Sequence, residues 1–266
     1  MIQTIQKGSL EYLAAEGISV PHAFTTRLGG VSTDYLSSLN LAPTRGDDPE
    51  NVVKNYEILG SELGFDPHNV VLARQVHSDI VYRAGESDRG AGLFAPRLPD
   101  CDALVTNVPG LALVVFSADC TPILAYDPVT GAVGAAHAGW RGTVSGIAAR
   151  MVEAMTRFYG SRPEDIRAAV GPNIGFCHFE TDADVPQALR RAYGGEMEPY
   201  IREKGEKYLV DLKAVNAWVL EKAGVRNVEV STACTVCESD RYWSHRVTQG
   251  HRGSQGAVIV CRGGNV

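Results

Sequence analysis

The sequence lacks the features that mark several large classes of protein. Its 266 residues contain six cysteines at irregular spacing, too few for a disulfide scaffold. The longest apolar run, Leu111 to Phe116, is too short to cross a bilayer, and the first residues form no apolar signal segment. With 31 acidic and 25 basic residues the net charge is -6, which disfavours nucleic acid as a partner. We therefore expect a cytoplasmic protein with no membrane or nucleic-acid partner and a small-molecule substrate.

Three common sequence motifs are also missing. The glycine-rich stretches match neither GxGxxG nor GxxxxGK[ST], which disfavours dinucleotide chemistry and ATP hydrolysis. The absence of GxSxG disfavours a serine hydrolase of the usual α/β type.

The apolar pattern predicts a single mixed α/β domain over residues 1–266. Short β-rich runs follow one another from Val70 to Ala138, separated by turn residues, and they predict a central sheet. Helical spacing predicts one helix that ends at Gly160 and another that Asp211 caps. No linker or repeat divides the chain. We expect a mixed β-sheet with flanking helices, and the strand order cannot be predicted from the sequence.

Three groups able to bind a metal lie where predicted strands end. His77 follows one predicted strand. Cys120, next to Asp119, lies between two others, and His137 leads into a glycine-rich turn. Each has a simpler interpretation, since histidines and free cysteines are often buried core residues. Two imidazoles and one thiolate nevertheless suit Zn²⁺, and three protein ligands leave one position open for water or substrate.

The CTVC segment, Cys234 to Cys237, offers a competing metal site. A structural zinc needs a second pair of ligands, and the downstream candidates Cys261, His245 and His251 are irregularly spaced. Two packed thiols are therefore the preferred interpretation of this segment.

Eight blocks of sequence, in order, resemble the YfiH-like family, also called laccase-domain or multicopper polyphenol oxidase-like proteins. HAGWRG (137–142), with ADC (118–120) and QVH (75–77) upstream, is the most specific part. The other blocks are FTTRLGGVS with SLNLA (24–42), GDDPENVVKN (46–55), CDALVTN (101–107), VGPNIGFCHFE (170–180) and CTVCESDRYWSHR (234–246).

This resemblance implies a fold similar to that of cysteine hydrolases and purine nucleoside phosphorylase activity with adenosine deaminase activity. The implied substrates are phosphate and purine nucleosides such as adenosine and inosine, with methylthioadenosine as a further candidate. It maps the zinc ligands onto His77, Cys120 and His137, with Cu²⁺ as the alternative ion. The oligomeric state stays open.

Catalytic roles beyond the ligands follow less directly. We predict that Asp119 moves a proton, that Arg141 binds phosphate, and that Trp140 or Tyr242 stacks on the base. The family pattern has an arginine thought to hold phosphate at the position of Tyr56, and a phenol cannot replace a charged guanidinium. The remaining candidates for phosphate are Arg27, Arg74 and Arg246.

Three other functions remain open. Cys120 could be the nucleophile of a cysteine hydrolase with His137 as its base, which a bound metal would prevent. A copper-dependent phenol oxidase is disfavoured because seven histidines are few for several copper centres. A non-enzymatic role in cell-wall metabolism is the third alternative.

Overall fold

The structure is a computed structural model that describes residues 1–263; residues 264–266 of the predicted domain lie outside the described part. The described chain contains fifteen strands and six α-helices. The strands are β1 (Ile2–Lys7), β2 (Leu10–Ala15), β3 (His22–Thr25), β4 (Val70–Leu72), β5 (Val81–Arg83), β6 (Ala103–Thr106), β7 (Ala112–Ser117), β8 (Thr121–Tyr126), β9 (Val133–Ala138), β10 (Arg167–Val170), β11 (Glu180–Thr181), β12 (Ile201–Lys204), β13 (Lys207–Val210), β14 (Asn227–Val230) and β15 (Gln255–Val260). The helices are α1 (Pro49–Leu63), α2 (Trp140–Val144), α3 (Ile147–Tyr159), α4 (Asp184–Tyr193), α5 (Leu212–Lys222) and α6 (His245–Thr248).

The strands form two six-stranded sheets and one small sheet. The first has the order β1-β2-β3-β15-β7-β4, the second β14-β10-β8-β9-β6-β5, and the third β11-β13-β12. Both large sheets combine parallel and antiparallel pairs. The predicted mixed α/β fold is confirmed, but the single central sheet expected from the sequence is in fact two sheets.

The two large sheets pack face to face, with helices on their outer surfaces. In β6 and β8, Leu104 and Leu124 face the first sheet, whereas Val105 and Ile123 face α3 and α5. A third core lies between α1 and the outer surface of the first sheet. Strands that are buried on both faces need apolar residues at successive positions, which explains the continuous apolar runs in the sequence.

Local signals account for the ends of the main helices. Asp48 caps α1 by accepting a hydrogen bond from the Glu50 N–H at 2.9 Å, and Gly64 ends this helix in the left-handed conformation with φ 70°. The predicted boundaries at Gly160 and Asp211 are also observed. None of the helices in residues 1–263 combines the length and apolar character needed to span a bilayer.

The connection from β7 to β8 carries the chain from the first sheet to the second. Asp119, with φ 87°, and Cys120 lie in this crossing. His137 pairs with Pro122 across β8 and β9, so the end of β9 lies beside the start of β8. The crossing therefore brings polar residues to one edge shared by the two sheets.

A candidate metal centre between the two sheets

His77, Cys120 and His137 converge at this edge. Their ligand atoms all lie within 4.8 Å of one another, and Cys120 Sγ is 3.9 Å from His77 Nε2. The two imidazole rings are 4.9 Å apart between centroids and nearly perpendicular. His77 is exposed, Cys120 half-buried and His137 buried. The arrangement offers two nitrogens and a sulfur to one ion from a site that solvent reaches on the His77 side.

Asp102 positions both histidines. Its carboxylate is fully buried and accepts hydrogen bonds from the backbone N–H groups of Val76, His77 and Ser78 at 3.1, 3.1 and 2.7 Å. The Ser78 hydroxyl donates a further bond at 2.7 Å. These bonds hold the loop after β4, where His77 adopts a left-handed φ of 63°. A carboxylate that accepts several backbone bonds fixes a loop that would otherwise be mobile.

The same carboxylate orients His137. Nδ1 of His137 donates to Asp102 Oδ1 at 2.8 Å, so Nε2 is the nitrogen left for an ion or a substrate. Burial raises the pKa of Asp102, but the bonds from His137 and Ser78 outweigh it and hold this pKa well below its ordinary value. Sequence reasoning missed Asp102; the available signal was one charged residue at the start of an apolar strand.

Cys120 and His137 also polarise each other. Burial opposes ionisation of the thiol, but the nearby His137 and His77 lower the pKa of Cys120 to about 6. Burial likewise lowers the pKa of His137, whereas the Cys120 thiolate and Asp102 raise it to about 9. The thiol is therefore available as a thiolate at neutral pH, which is the form that binds metals.

Gly139 makes room for these groups. A Cβ at this position would lie 2.7 Å from His77 Cδ2 and 3.4 Å from Cys120 Sγ. The close approach explains a glycine in the HAGWRG turn. The donor set, the burial of His137 and this close packing all fit a small ion bound by the three side chains.

Asp119 and Arg141 lie beside the centre in different environments. Asp119 accepts hydrogen bonds from the Thr235 hydroxyl at 2.6 Å, the Ser244 hydroxyl at 3.1 Å and the Arg246 N–H at 2.6 Å. Its carboxylate thereby joins three segments, and its predicted proton transfer stays a prediction. Arg141 is exposed on α2 with its guanidinium 4.2 Å above the Trp140 ring, and its predicted phosphate contact stays a prediction too.

Three other residues predicted to contact phosphate or the base have different surroundings in the structure. Arg27 donates to the carbonyls of Ser37 and Ser239, and Arg246 donates to those of His178 and Glu180, so both guanidinium groups already have partners. Tyr242 is completely buried in the core between the sheets and cannot stack on a base as expected.

The position of Tyr56 explains how this chain differs from the family pattern. Tyr56 lies on the buried face of α1, is completely buried, and its hydroxyl donates to the Leu41 carbonyl at 3.0 Å. The neighbouring Asn55 is buried as well. Its side chain accepts a hydrogen bond from the Val31 N–H and donates to the Ser32 hydroxyl and the Asn40 carbonyl. At this position the chain uses an aromatic side chain to fill its core.

Two arginines that sequence reasoning missed lie close to the centre. Arg252 is buried, and among residues 1–263 its Nε and that of Arg45 have no hydrogen-bond partner. Burial and the nearby Arg45 lower the pKa of Arg252 to about 10, whereas Asp119 and Cys120 act in the opposite direction. Arg45 also lines a cavity of about 180 Å³ together with Arg74, Gln75 and Arg97. The buried Arg252 and the half-buried Arg45 therefore place two positive charges near Asp119 and Cys120.

Comparison with known proteins places this arrangement in a family. Residues 21–262 match the family described as multi-copper polyphenol oxidoreductase laccase. The chain belongs to this laccase-like family. It is 42% identical over 250 residues to a purine nucleoside phosphorylase of Deinococcus radiodurans, covering 94% of this chain and 92% of that protein.

Two further relatives extend the comparison. The laccase-like chain is 36% identical to adenosine deaminase RL5 from an unknown prokaryotic organism, covering 87% of this chain and 90% of the relative. The crystal structure of YlmD from Geobacillus stearothermophilus superposes with a TM-score of 0.91 at 37% identity, covering 97% of this chain and 98% of that one. The predicted family and its fold are thus confirmed.

Proposed function

We propose that this laccase-like protein is a zinc-dependent purine nucleoside phosphorylase that also deaminates adenosine. The observation that carries the proposal is a pair of arginines, the buried Arg252 and the half-buried Arg45, near the His77, Cys120 and His137 cluster. The Nε of each lacks a hydrogen-bond partner among residues 1–263. Phosphorolysis needs a site for an anion, and deamination needs an activated water. Adenosine and inosine are the proposed substrates, with methylthioadenosine to be tested beside them.

The arginines would hold phosphate as the nucleophile. A guanidinium can donate two parallel hydrogen bonds to phosphate, and one with N–H groups still unpaired gains most from such bonds. Arg252 already donates through Nη1 to the Gly253 carbonyl and the Ser254 hydroxyl, which fixes its orientation and leaves Nε free to donate. The arginines near Cys120 could therefore aim an anion at a nucleoside bound over the centre.

The histidines and Cys120 would hold the metal at the same place. Zinc, when bound, supplies Lewis acidity that activates water for deamination. Asp102 keeps the Nδ1 proton of His137 away from the centre, and the buried Asp119 keeps Cys120 in position through its bonds to Thr235 and Ser244. Asp119 remains our candidate for proton transfer and Arg141 for contact with phosphate at the exposed side.

The test is a product analysis with purified, zinc-loaded protein. Adenosine with phosphate should give adenine and ribose 1-phosphate, and adenosine without phosphate should give inosine. Arg45→Gln should raise the KM for phosphate about tenfold to a hundredfold, since a lost charged hydrogen bond corresponds to about 1.5–3 kcal/mol. The control Arg162→Gln removes an exposed arginine that pairs with Asp165 and should change neither reaction. No turnover of any purine nucleoside would refute the proposal.

A cysteine hydrolase is the second candidate because Asp102, His137 and Cys120 form a chain of carboxylate, imidazole and thiolate. His137 bonds Asp102 at 2.8 Å, and its pKa of about 9 is raised chiefly by the Cys120 thiolate against the effect of burial. The same chain serves acyl transfer in cysteine enzymes. The metal content of Cys120→Ser compared with that of the wild type separates the two, because an ion that is lost with Cys120 is one that leaves no free thiolate there. Copper in that analysis would instead favour the phenol oxidase.

A further inference from the structure

A second cluster of metal-binding groups lies away from the centre described above. Cys177 and His178 follow β10, and Cys234 and Cys237 follow β14; one ligand atom from each lies within 4.8 Å of the others. The sequence predicts packed thiols for the CTVC pair, because the candidate ligands downstream of it are irregularly spaced. The structure brings two ligands from upstream instead, and Cys177 and Cys237 are exposed rather than packed.

We propose that these four residues form a structural zinc site of the Cys₃His type. In a tetrahedron with Zn–S bonds of about 2.3 Å and Zn–N bonds of about 2.1 Å, two sulfurs lie about 3.8 Å apart and a sulfur and nitrogen about 3.6 Å apart. Sγ of Cys177 is 3.6 Å from Sγ of Cys237. His178 Nδ1 lies 3.2, 3.7 and 3.4 Å from the sulfurs of Cys177, Cys234 and Cys237. These separations match one shared ion.

The backbone around the cluster suits thiolate ligands. The Gly175 N–H donates to Cys234 Sγ at 3.2 Å, a contact that orients a metal-binding sulfur. A Cβ on Gly175 would lie 3.1 Å from Cys234 Cβ and 3.2 Å from Cys177 Sγ, so only glycine leaves the sulfurs in place. The Thr235 N–H donates to the Asn173 carbonyl at 3.0 Å and joins the two loops directly.

A buried cation balances the charge that such a site carries. Three thiolates and one Zn²⁺ leave one negative charge, which a nearby cation stabilises. Lys213 is buried in α5, and its Nζ donates to the Ala233 carbonyl at 2.6 Å, next to Cys234. Burial lowers the pKa of Lys213, whereas Asp211, Cys234 and Cys177 act to raise it. The ammonium group therefore lies within electrostatic range of the cluster.

The position of the second site gives it a structural role. Four protein ligands close the coordination sphere, unlike the three of the first centre. Its two loops also fasten the Asp119 turn, because the Ile174 N–H donates to the Asp119 carbonyl at 2.9 Å and the Thr235 hydroxyl to its carboxylate at 2.6 Å. An ion that joins these loops would brace the turn that carries Cys120.

Counting zinc in purified protein tests this inference independently of any catalytic activity. After loading with zinc and gel filtration, the wild type should hold two zinc ions per chain. The variant His77→Ala/Cys120→Ser should keep one, and Cys237→Ser should also keep one. The control Cys261→Ser changes a buried cysteine outside both clusters, whose Sγ contacts the Gly131 carbonyl, and should keep two.

Cobalt and thiol titration identify which ligands hold the remaining ion. Co²⁺ loaded into the His77→Ala/Cys120→Ser variant should give intense thiolate charge-transfer absorption, and Cys237→Ser in that background should abolish it. Zinc should slow the reaction of Cys177 and Cys237 with a disulfide reagent at least tenfold. A His77→Ala/Cys120→Ser variant that holds no zinc, a Cys237→Ser variant that holds as much zinc as the wild type, or a Cys177–Cys237 disulfide in freshly purified protein would overturn the proposal. None of these outcomes depends on whether the protein acts on nucleosides.

Discussion

Asp102→Asn would separate the role of the buried carboxylate from that of the metal ligands it positions. The carboxylate accepts five hydrogen bonds, three from backbone N–H groups, one from the Ser78 hydroxyl and one from His137. An amide of the same shape has one acceptor oxygen, and its NH₂ group would face donors. At least two donors are thereby left without an acceptor in a buried position.

The structure sets the size of the effect. Hydrogen bonds to a charged group contribute about 1.5–3 kcal/mol each, so losing two should lower the free energy of unfolding by about 3–6 kcal/mol. At about 2–4 °C per kcal/mol, the melting temperature should fall by roughly 6–24 °C. Loss of the carboxylate behind a ligating histidine should also weaken zinc binding about 10-fold to 100-fold.

Two assays measure these changes: thermal unfolding of the metal-free protein, and zinc binding in competition with a chromogenic chelator. The matched control is Asp100→Asn, which neutralises a half-exposed carboxylate 3.0 Å from the Arg74 guanidinium and should cost at most about 1 kcal/mol. A variant that melts and binds zinc like the control would show that the buried carboxylate does not organise the centre.

Two further predictions concern the candidate metal centre, and a third concerns the cap of α5. Gly139→Ala should weaken zinc binding at least tenfold, because the new Cβ would lie 2.7 Å from His77. The control Gly195→Ala, whose new Cβ has no atom within 4 Å, should bind zinc like the wild type. Equal zinc affinities of the two variants would contradict the packing argument. In protein freed of metal by a chelator, the rate of alkylation of Cys120 should be half-maximal near pH 6 and should fall below that pH as the thiolate gains a proton. Bound zinc should block the alkylation. A midpoint near pH 9 would be inconsistent with the His137 contact that lowers the pKa of Cys120. Asp211→Ala should lower the free energy of unfolding by about 1 kcal/mol, through loss of the cap of α5, and unchanged denaturant curves would refute it.

Much of the fold could be predicted because its buried strands and capped helices have strong local signals. The runs that became β6 to β9 are apolar at nearly every position, and Asp211 and Gly160 mark helix ends. The strands β1 to β3 were not predicted, since β1 is an exposed edge strand whose polar residues give no clear alternation. The division of the strands into two sheets depends on long-range pairing, which no local pattern encodes.

The sequence likewise predicted some residues of the candidate sites and missed others. His77 and Cys120 lie outside strand ends and His137 lies among the last residues of β9, so their residue types and positions were enough to suggest that they meet. Arg252 and Arg45 gave no such signal, because only the folded structure shows that the two guanidinium groups lie close together and that the Nε of each is unpaired. Cys177 and His178 were missed since adjacent ligands do not follow the spacing rules for zinc sites.

The strand order of the first sheet has a consequence for synthesis of the protein. β15 lies between β3 and β7, although Gln255–Val260 follows all the other strands of that sheet along the chain. During translation the sheet therefore has a gap at its middle until these residues leave the ribosome, and β7 lacks one of its two neighbours. Because β7 leads directly to Cys120, we expect the candidate metal centre to form only after Gln255–Val260 have joined the sheet, and nascent chains stalled before Gln255 should bind no ion there.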